Sequence, residues 1–96
     1  MLVVGSVVIR VSDLPAQIRF WSRALDYAVR SPVSSDFALL YSRTGVGPNV
    51  SLDAVPSRRV LPPRIHLDLY ADNRQAEMER LESLGATARA LGQAPR

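Results

Sequence analysis

Arg64 to Ala86, RIHLDLYADNRQAEMERLESLGA, places a strand, a capped helix and a helix stop in immediate succession, and the rest of the chain is read against it. Along Ile65 to Tyr70 the residues alternate. Ile65, Leu67 and Leu69 share one face of the expected strand and His66, Asp68 and Tyr70 the other, because successive strand side chains point to opposite sides. Asp72 is the expected cap of the following helix, with Gln75 in a capping-box-like position. Met78, Leu81 and Leu84 recur at helical spacing, and Gly85 supplies the stop. The strand therefore carries the only histidine of the chain on a face that its helix leaves open.

The totals bound what can follow. Ninety-six residues form one domain, and a chain this short buries only about 60 to 65% of its unfolded surface, so a homodimer is expected to strengthen a marginal core. With 47% hydrophobic and 22% charged residues the composition is globular. No run of about 18 apolar residues occurs, so no membrane span or membrane partner is expected. The apolar start, Leu2 to Val11, lacks a basic flank and a small-residue cleavage site and alternates like a strand, which points to a cytoplasmic protein without a signal peptide. The absence of cysteine excludes disulfides, thiolate nucleophiles and thiolate metal sites. All twelve cationic side chains are arginine, which excludes Schiff-base chemistry. The net charge is +3, but the arginines are scattered and only Arg58, Arg59 and Arg64 cluster, so no nucleic-acid partner is expected.

Leu2 to Val11 reads as the first strand, with Val7, Ile9 and Val11 on a core face and Ser6, Val8 and Arg10 on the other. Ser12 or Asp13 caps the next helix, Pro15 is tolerated in its first turn, and Leu14, Ile18, Trp21 and Leu25 form an apolar stripe. Trp21 and Phe20 are expected core anchors. Strands then follow over Tyr27 to Ser34, Phe37 to Ser42 and Val50 to Val55, an antiparallel meander broken by Ser35-Asp36 and by the turn Thr44 to Asn49. The two glycines of that turn do not make a phosphate loop, since no Lys-Ser/Thr pair or helix follows. Pro56 to Pro63, PSRRVLPP, is an expected extended connector between two halves. At an offset of about 60 residues the halves match in pattern: Ser6 falls on His66, Val8 on Asp68 and Arg10 on Tyr70. Ala86 to Leu91 is the last expected strand.

The two segments SVVIRVSDLPAQIRFWSRALDY and RIHLDLYADNRQAEMERLESLGA resemble the two module openings of the vicinal oxygen chelate superfamily, which includes glyoxalase I, bleomycin-resistance proteins and extradiol dioxygenases. The nearest resemblance is to its small bacterial glyoxalase-like domains. It implies an α+β fold built as a βαβββ module repeat: module one over residues 1–55, a connector over 56–63, and an incomplete β-α-β second module over 64–96. It also implies a small-molecule cavity enclosed by curved sheets, often completed in a dimer, and a divalent metal (Zn, Ni, Fe or Mn) held by up to four inward side chains. Position by position, the first-strand ligand falls on Ser6, the fourth-strand ligand on Asp53 and the ligand opening the second module on His66. Ser6 is a poor ligand for such metals, and the last ligand, usually a glutamate near a DP-G-N-like turn, has no counterpart before Arg96.

His66 is open to three roles: metal ligand together with Asp53, metal-free general base, or hydrogen-bonded structural residue. Asp53 or Asp68 can orient its second ring nitrogen. Arg10 carries a guanidinium fork suited to a carboxylate or phosphate, and Tyr41 and Tyr70 are candidate aromatic walls for a ligand. Arg74, Glu77, Arg80 and Glu82 read as a solvated helix face with short-range pairing. No Ser-His-Asp triad can be built around one histidine without a nucleophile elbow. Three functional readings follow: a metal-dependent lyase, isomerase or dioxygenase that polarises vicinal oxygens, a metal-free protein that binds a small or drug-like molecule, and a shortened, inactive member of the superfamily.

Overall fold

The computed structural model describes residues 1–55 and 67–88. The chain divides into two compact units, residues 1–61 and 62–96. The first holds strands β1 (Ser6–Val11), β2 (Tyr27–Val29), β3 (Phe37–Ser42) and β4 (Asn49–Ala54), with helix α1 (Leu14–Leu25) between β1 and β2; the second holds helix α2 (Arg74–Ser83). Among the described residues the strands form one mixed sheet in the order β1-β4-β3-β2. β2 and β3 pair antiparallel, as do β3 and β4, while β4 lies parallel to β1 with Ser6 opposite Asn49 and Val11 opposite Ala54. Helix α1 thus carries the chain from one edge of the sheet to the other, leaving room for β3 and β4 to return between them.

The sequence pattern explains the first unit residue by residue. Asp13 caps α1 by accepting a hydrogen bond from the Ala16 amide at 3.2 Å, and Pro15 sits in the first turn, where its missing N–H costs nothing. Asp26 ends α1 in the left-handed conformation, φ 54°, its amide donating to the Ser22 carbonyl. An exposed ion pair to Arg43 at 3.3 Å adds little there. The core consists of Val11, Leu14, Ala38, Leu40, Val50 and Leu52, with Ile9, Ile18, Trp21, Leu25, Tyr27, Val29 and Ala54 packed against it. The expected alternation holds in β1, and the α1 stripe from Leu14 to Leu25 faces the sheet. Trp21 packs on the core and donates its indole N–H to Gln17 Oε1 at 3.0 Å, and Phe20 meets it edge to face at 5.2 Å between centroids.

Several expected boundaries move, each for a local reason. The first strand begins at Ser6 and not Leu2, because its partner β4 begins at Asn49 and no strand among the described residues lies opposite Met1 to Val4. The second strand stops at Val29 instead of reaching Ser34, since Pro32 has no N–H to give a ladder. The turn before β4 is held by Tyr27, whose hydroxyl donates to the Pro48 carbonyl at 3.0 Å. Gly47 adopts φ +93° there, and a Cβ on it would lie 3.1 Å from that hydroxyl, so the position suits glycine alone.

In the second unit Leu67–Tyr70, the described part of the expected strand, make no strand among the described residues, and Leu69 and Tyr70 are exposed. Ile65 and His66 lie outside the described residues, as does the end of the expected strand Ala86–Leu91, of which residues 86–88 are irregular. The cap of α2 is Asn73 in place of Asp72: its Oδ1 accepts from the Ala76 amide at 3.0 Å. Either residue type satisfies a helix N-terminus, so the neighbouring backbone angles choose between them. Gly85 supplies the stop, with φ +112° and paired bonds from Gly85 to Glu82 and from Ala86 to Leu81, each 3.0 Å. Arg80 grips Glu77 Oε2 through two nitrogens, at 2.7 and 2.9 Å, as the solvated-face reading expects.

The centre of the first unit sets its stability. Leu40 and Leu52 are 0% exposed, on adjacent central strands under α1. Leu52→Ala is expected to destabilise the fold by about 2–5 kcal/mol in chemical denaturation, whereas Val46→Ala in the exposed turn should stay within about 0.5 kcal/mol.

Candidate functional site

The side of the sheet opposite α1 is where the candidate residues gather. Because strand side chains alternate, burying Val7, Ile9 and Val11 of β1, Val50 and Leu52 of β4 and Ala38 and Leu40 of β3 toward the helix commits Ser6, Val8 and Arg10, Asn49, Ser51 and Asp53, and Phe37, Leu39 and Tyr41 to the opposite face. The register then orders them in rows. Arg10 lies opposite Asp53, which lies opposite Phe37; Val8 lies opposite Ser51, which lies opposite Leu39; Ser6 lies opposite Asn49. Neighbouring strands sit about 4.8 Å apart, so each row is a set of touching positions. Val8, Phe37 and Tyr41 are exposed large hydrophobic residues in this patch.

Its polar chemistry is concentrated on β1 and β4. Ser6 Oγ and Ser51 Oγ are hydrogen-bonded at 2.6 Å. Ser51 is 3% exposed, so this bond satisfies a buried hydroxyl, and among the described residues no buried side-chain polar atom is left without a partner. Arg10 and Asp53 occupy adjacent register positions but form no ion pair with each other. Arg10 is exposed and Asp53 half-buried, so the guanidinium is available to an anion approaching the face. Across the sheet, the Arg30 guanidinium lies over the Tyr41 ring at 5.6 Å from its centroid, covering part of the expected aromatic wall.

Ser6, Arg10, Tyr41 and Asp53, four of the residues singled out from sequence, are therefore brought onto one face of one sheet. Asp68 and Tyr70 belong to the second unit, where both are exposed, and His66 lies outside the described residues. Ser51, Arg30 and Phe37 were not picked out. Ser51 shares its face with Asp53 by simple alternation, but its contact with Ser6 depends on the parallel β1–β4 register, which no local pattern encodes.

A divalent metal is poorly matched by the described part of this face. It offers one carboxylate, Asp53, with a guanidinium beside it, and a serine hydroxyl already bonded to another serine. Among the described residues no three histidine, cysteine, aspartate or glutamate side chains cluster. A separate open depression of about 470 Å³ lies at the carboxyl ends of β1 and β4, lined by Ser12–Pro15, Ser35, Ala54 and Val55. None of the candidate residues lines it, and Asp13 there is engaged as a helix cap. The sheet face carries more recognition chemistry than this depression does.

The Ser6–Ser51 pair makes a clean energetic test. Ser6→Ala strands the buried Ser51 hydroxyl and is expected to cost about 1–3 kcal/mol, while Ser51→Ala frees a half-buried hydroxyl able to meet water and should cost about 1 kcal/mol or less. The double variant should cost less than the sum, a coupling read from a denaturation double-mutant cycle.

Comparison with protein-family models matches residues 6–96 to the glyoxalase-like domain. No curated protein matches the chain at a significant level.

Proposed function

The chain belongs to the glyoxalase-like domain family, part of the vicinal oxygen chelate superfamily, and from that premise we propose that it binds a small anionic molecule on the open face of its first-unit sheet, without a metal at the first-strand position. One observation carries this reading: Ser6 stands where the resemblance puts the first metal ligand, and its hydroxyl is spent on Ser51 at 2.6 Å. Arg10 supplies the charge recognition, as a planar fork able to take a carboxylate or phosphate through two parallel hydrogen bonds. Val8, Leu39 and Phe37 supply the apolar wall, and Asp53, between Arg10 and Phe37 in its row, accepts a hydrogen bond from a hydroxyl or amine of the ligand. A ligand with an anionic end, an apolar body and a donor group fits these three elements.

A metal-dependent lyase, isomerase or dioxygenase is the second reading, favoured by Asp53 on the same face and by His66 at the position that opens the second module. The two readings separate in one experiment. Thermal-shift screening of the purified protein with small carboxylates and phosphates, and in parallel with zinc, nickel, iron and manganese, is expected to give stabilisation by anionic organic molecules and none by the metals. Arg10→Met should weaken anion binding by about 10- to 100-fold, the loss of one charge-assisted bidentate contact of about 1.5–3 kcal/mol, while His66→Gln leaves it unchanged. Metal-dependent stabilisation abolished by His66→Gln would establish the enzyme reading instead.

A further inference from the structure

A second guanidinium stands on the candidate face, far from the first. Arg30 continues the register of β2 one residue past Val29, its amide donating to the Leu39 carbonyl at 2.9 Å. Residues directly opposite in an antiparallel pair share a face, so Arg30 extends the row of Val8, Ser51 and Leu39 on the side of the sheet opposite α1. Its position over the Tyr41 ring, 5.6 Å from the centroid, agrees with this placement. Attraction to an aromatic face uses no hydrogen-bond acceptor, so the N–H donors of this guanidinium are left for water or a ligand. Among the described residues no carboxylate forms an ion pair with Arg10 or Arg30.

The charges on this face are unevenly spread. Arg10 shares its row with the Asp53 carboxylate, whereas the row of Arg30 holds no carboxylate. The excess positive charge of the rows therefore lies at their β2 side. By backbone position the two arginines are three strands and one row apart, about 16 Å at a strand spacing of about 4.8 Å and a rise of about 3.4 Å per residue. Val8, Leu39 and Phe37 lie between them on the same face. Arginine side chains leaning inward shorten the gap, so a ligand with anionic groups about 14 Å apart reaches both; an extended chain of about 12 carbons has this span at about 1.3 Å per bond.

We propose that the ligand of this face is an elongated dianion, one anionic end held by Arg10 and the other by Arg30, its apolar body lying across Val8, Leu39 and Phe37. This rests on the ligand reading above and narrows it to molecules charged at both ends with a set separation between the charges. Each guanidinium supplies a fork for one carboxylate or phosphate, and the side chains between them reward an apolar spacer.

Isothermal titration calorimetry of the full chain with dodecanedioate and with its monomethyl ester tests this, because the two share an apolar body and differ by one charge. Dodecanedioate is expected to bind about tenfold tighter. Arg30 is exposed and lies past the end of β2, so folding is not at stake in Arg30→Met. That variant should bring dodecanedioate to the affinity of the half ester, while changing the half ester by about twofold or less. Arg43→Met removes the same charge from a residue paired with Asp26 and should leave the preference at about tenfold. Equal affinity for the two compounds, or a preference lost to Arg43→Met as fully as to Arg30→Met, would overturn this inference while the ligand reading stands. Absence of binding by both compounds would overturn the ligand reading and this inference with it.

Discussion

The parallel ladder between Ser6–Val11 and Asn49–Ala54 is the constraint on which the first unit depends. It joins segments more than thirty residues apart, so loop closure must be offset by burial before the ladder is worth forming. That burial comes from Val11, Val50 and Leu52 under helix α1, which spans from one edge of the sheet to the other. Register is then strongly specified. A slip of one residue would carry Leu52 to the open face and Asp53 into the core, so the same apolar side chains that stabilise the sheet also dictate which polar ones meet.

The candidate site is a by-product of that packing. Ser6 meets Ser51, and Arg10 stands beside Asp53, because the register that buries Ile9 against Leu52 leaves no other arrangement for the residues between them. The open face keeps three large apolar side chains, Val8, Phe37 and Tyr41, exposed around this polar group. A surface with an apolar floor and a few directed polar groups is what small-molecule recognition uses.

Legibility in the sequence followed the range of the interactions involved. The α1 stripe of Leu14, Ile18, Trp21 and Leu25 and the alternation of β1 depend only on nearest neighbours along the chain, and both are found as expected. Phe37–Ser42 agrees to the residue for the same reason. The failures sit where a partner elsewhere decides. Met1 to Val4 are apolar and suited to a strand, yet form none, as β4 does not extend to meet them; Leu67–Tyr70 have a strand pattern without a strand among the described residues. Asp72 and Asn73 are equivalent caps by type, and the choice of Asn73 lies in backbone geometry that composition does not carry. Ser51 shares a strand face with Asp53 by alternation, but its bond to Ser6 is not legible in the sequence because the partner lies 45 positions away.

By itself, the sequence determined the apolar stripe of α1, the family, the exclusion of thiol and Schiff-base chemistry, and the membership of Ser6 and Arg10 in one strand face. These follow from side-chain chemistry and a period of two, which are properties of a chain read locally. The tertiary structure alone decided that β4 lies parallel beside β1, that Ser6 is bonded to Ser51, and that Arg10 neighbours Asp53. Those facts depend on how segments far apart in sequence pair, and that pairing is chosen by the joint burial of one helix and four strands.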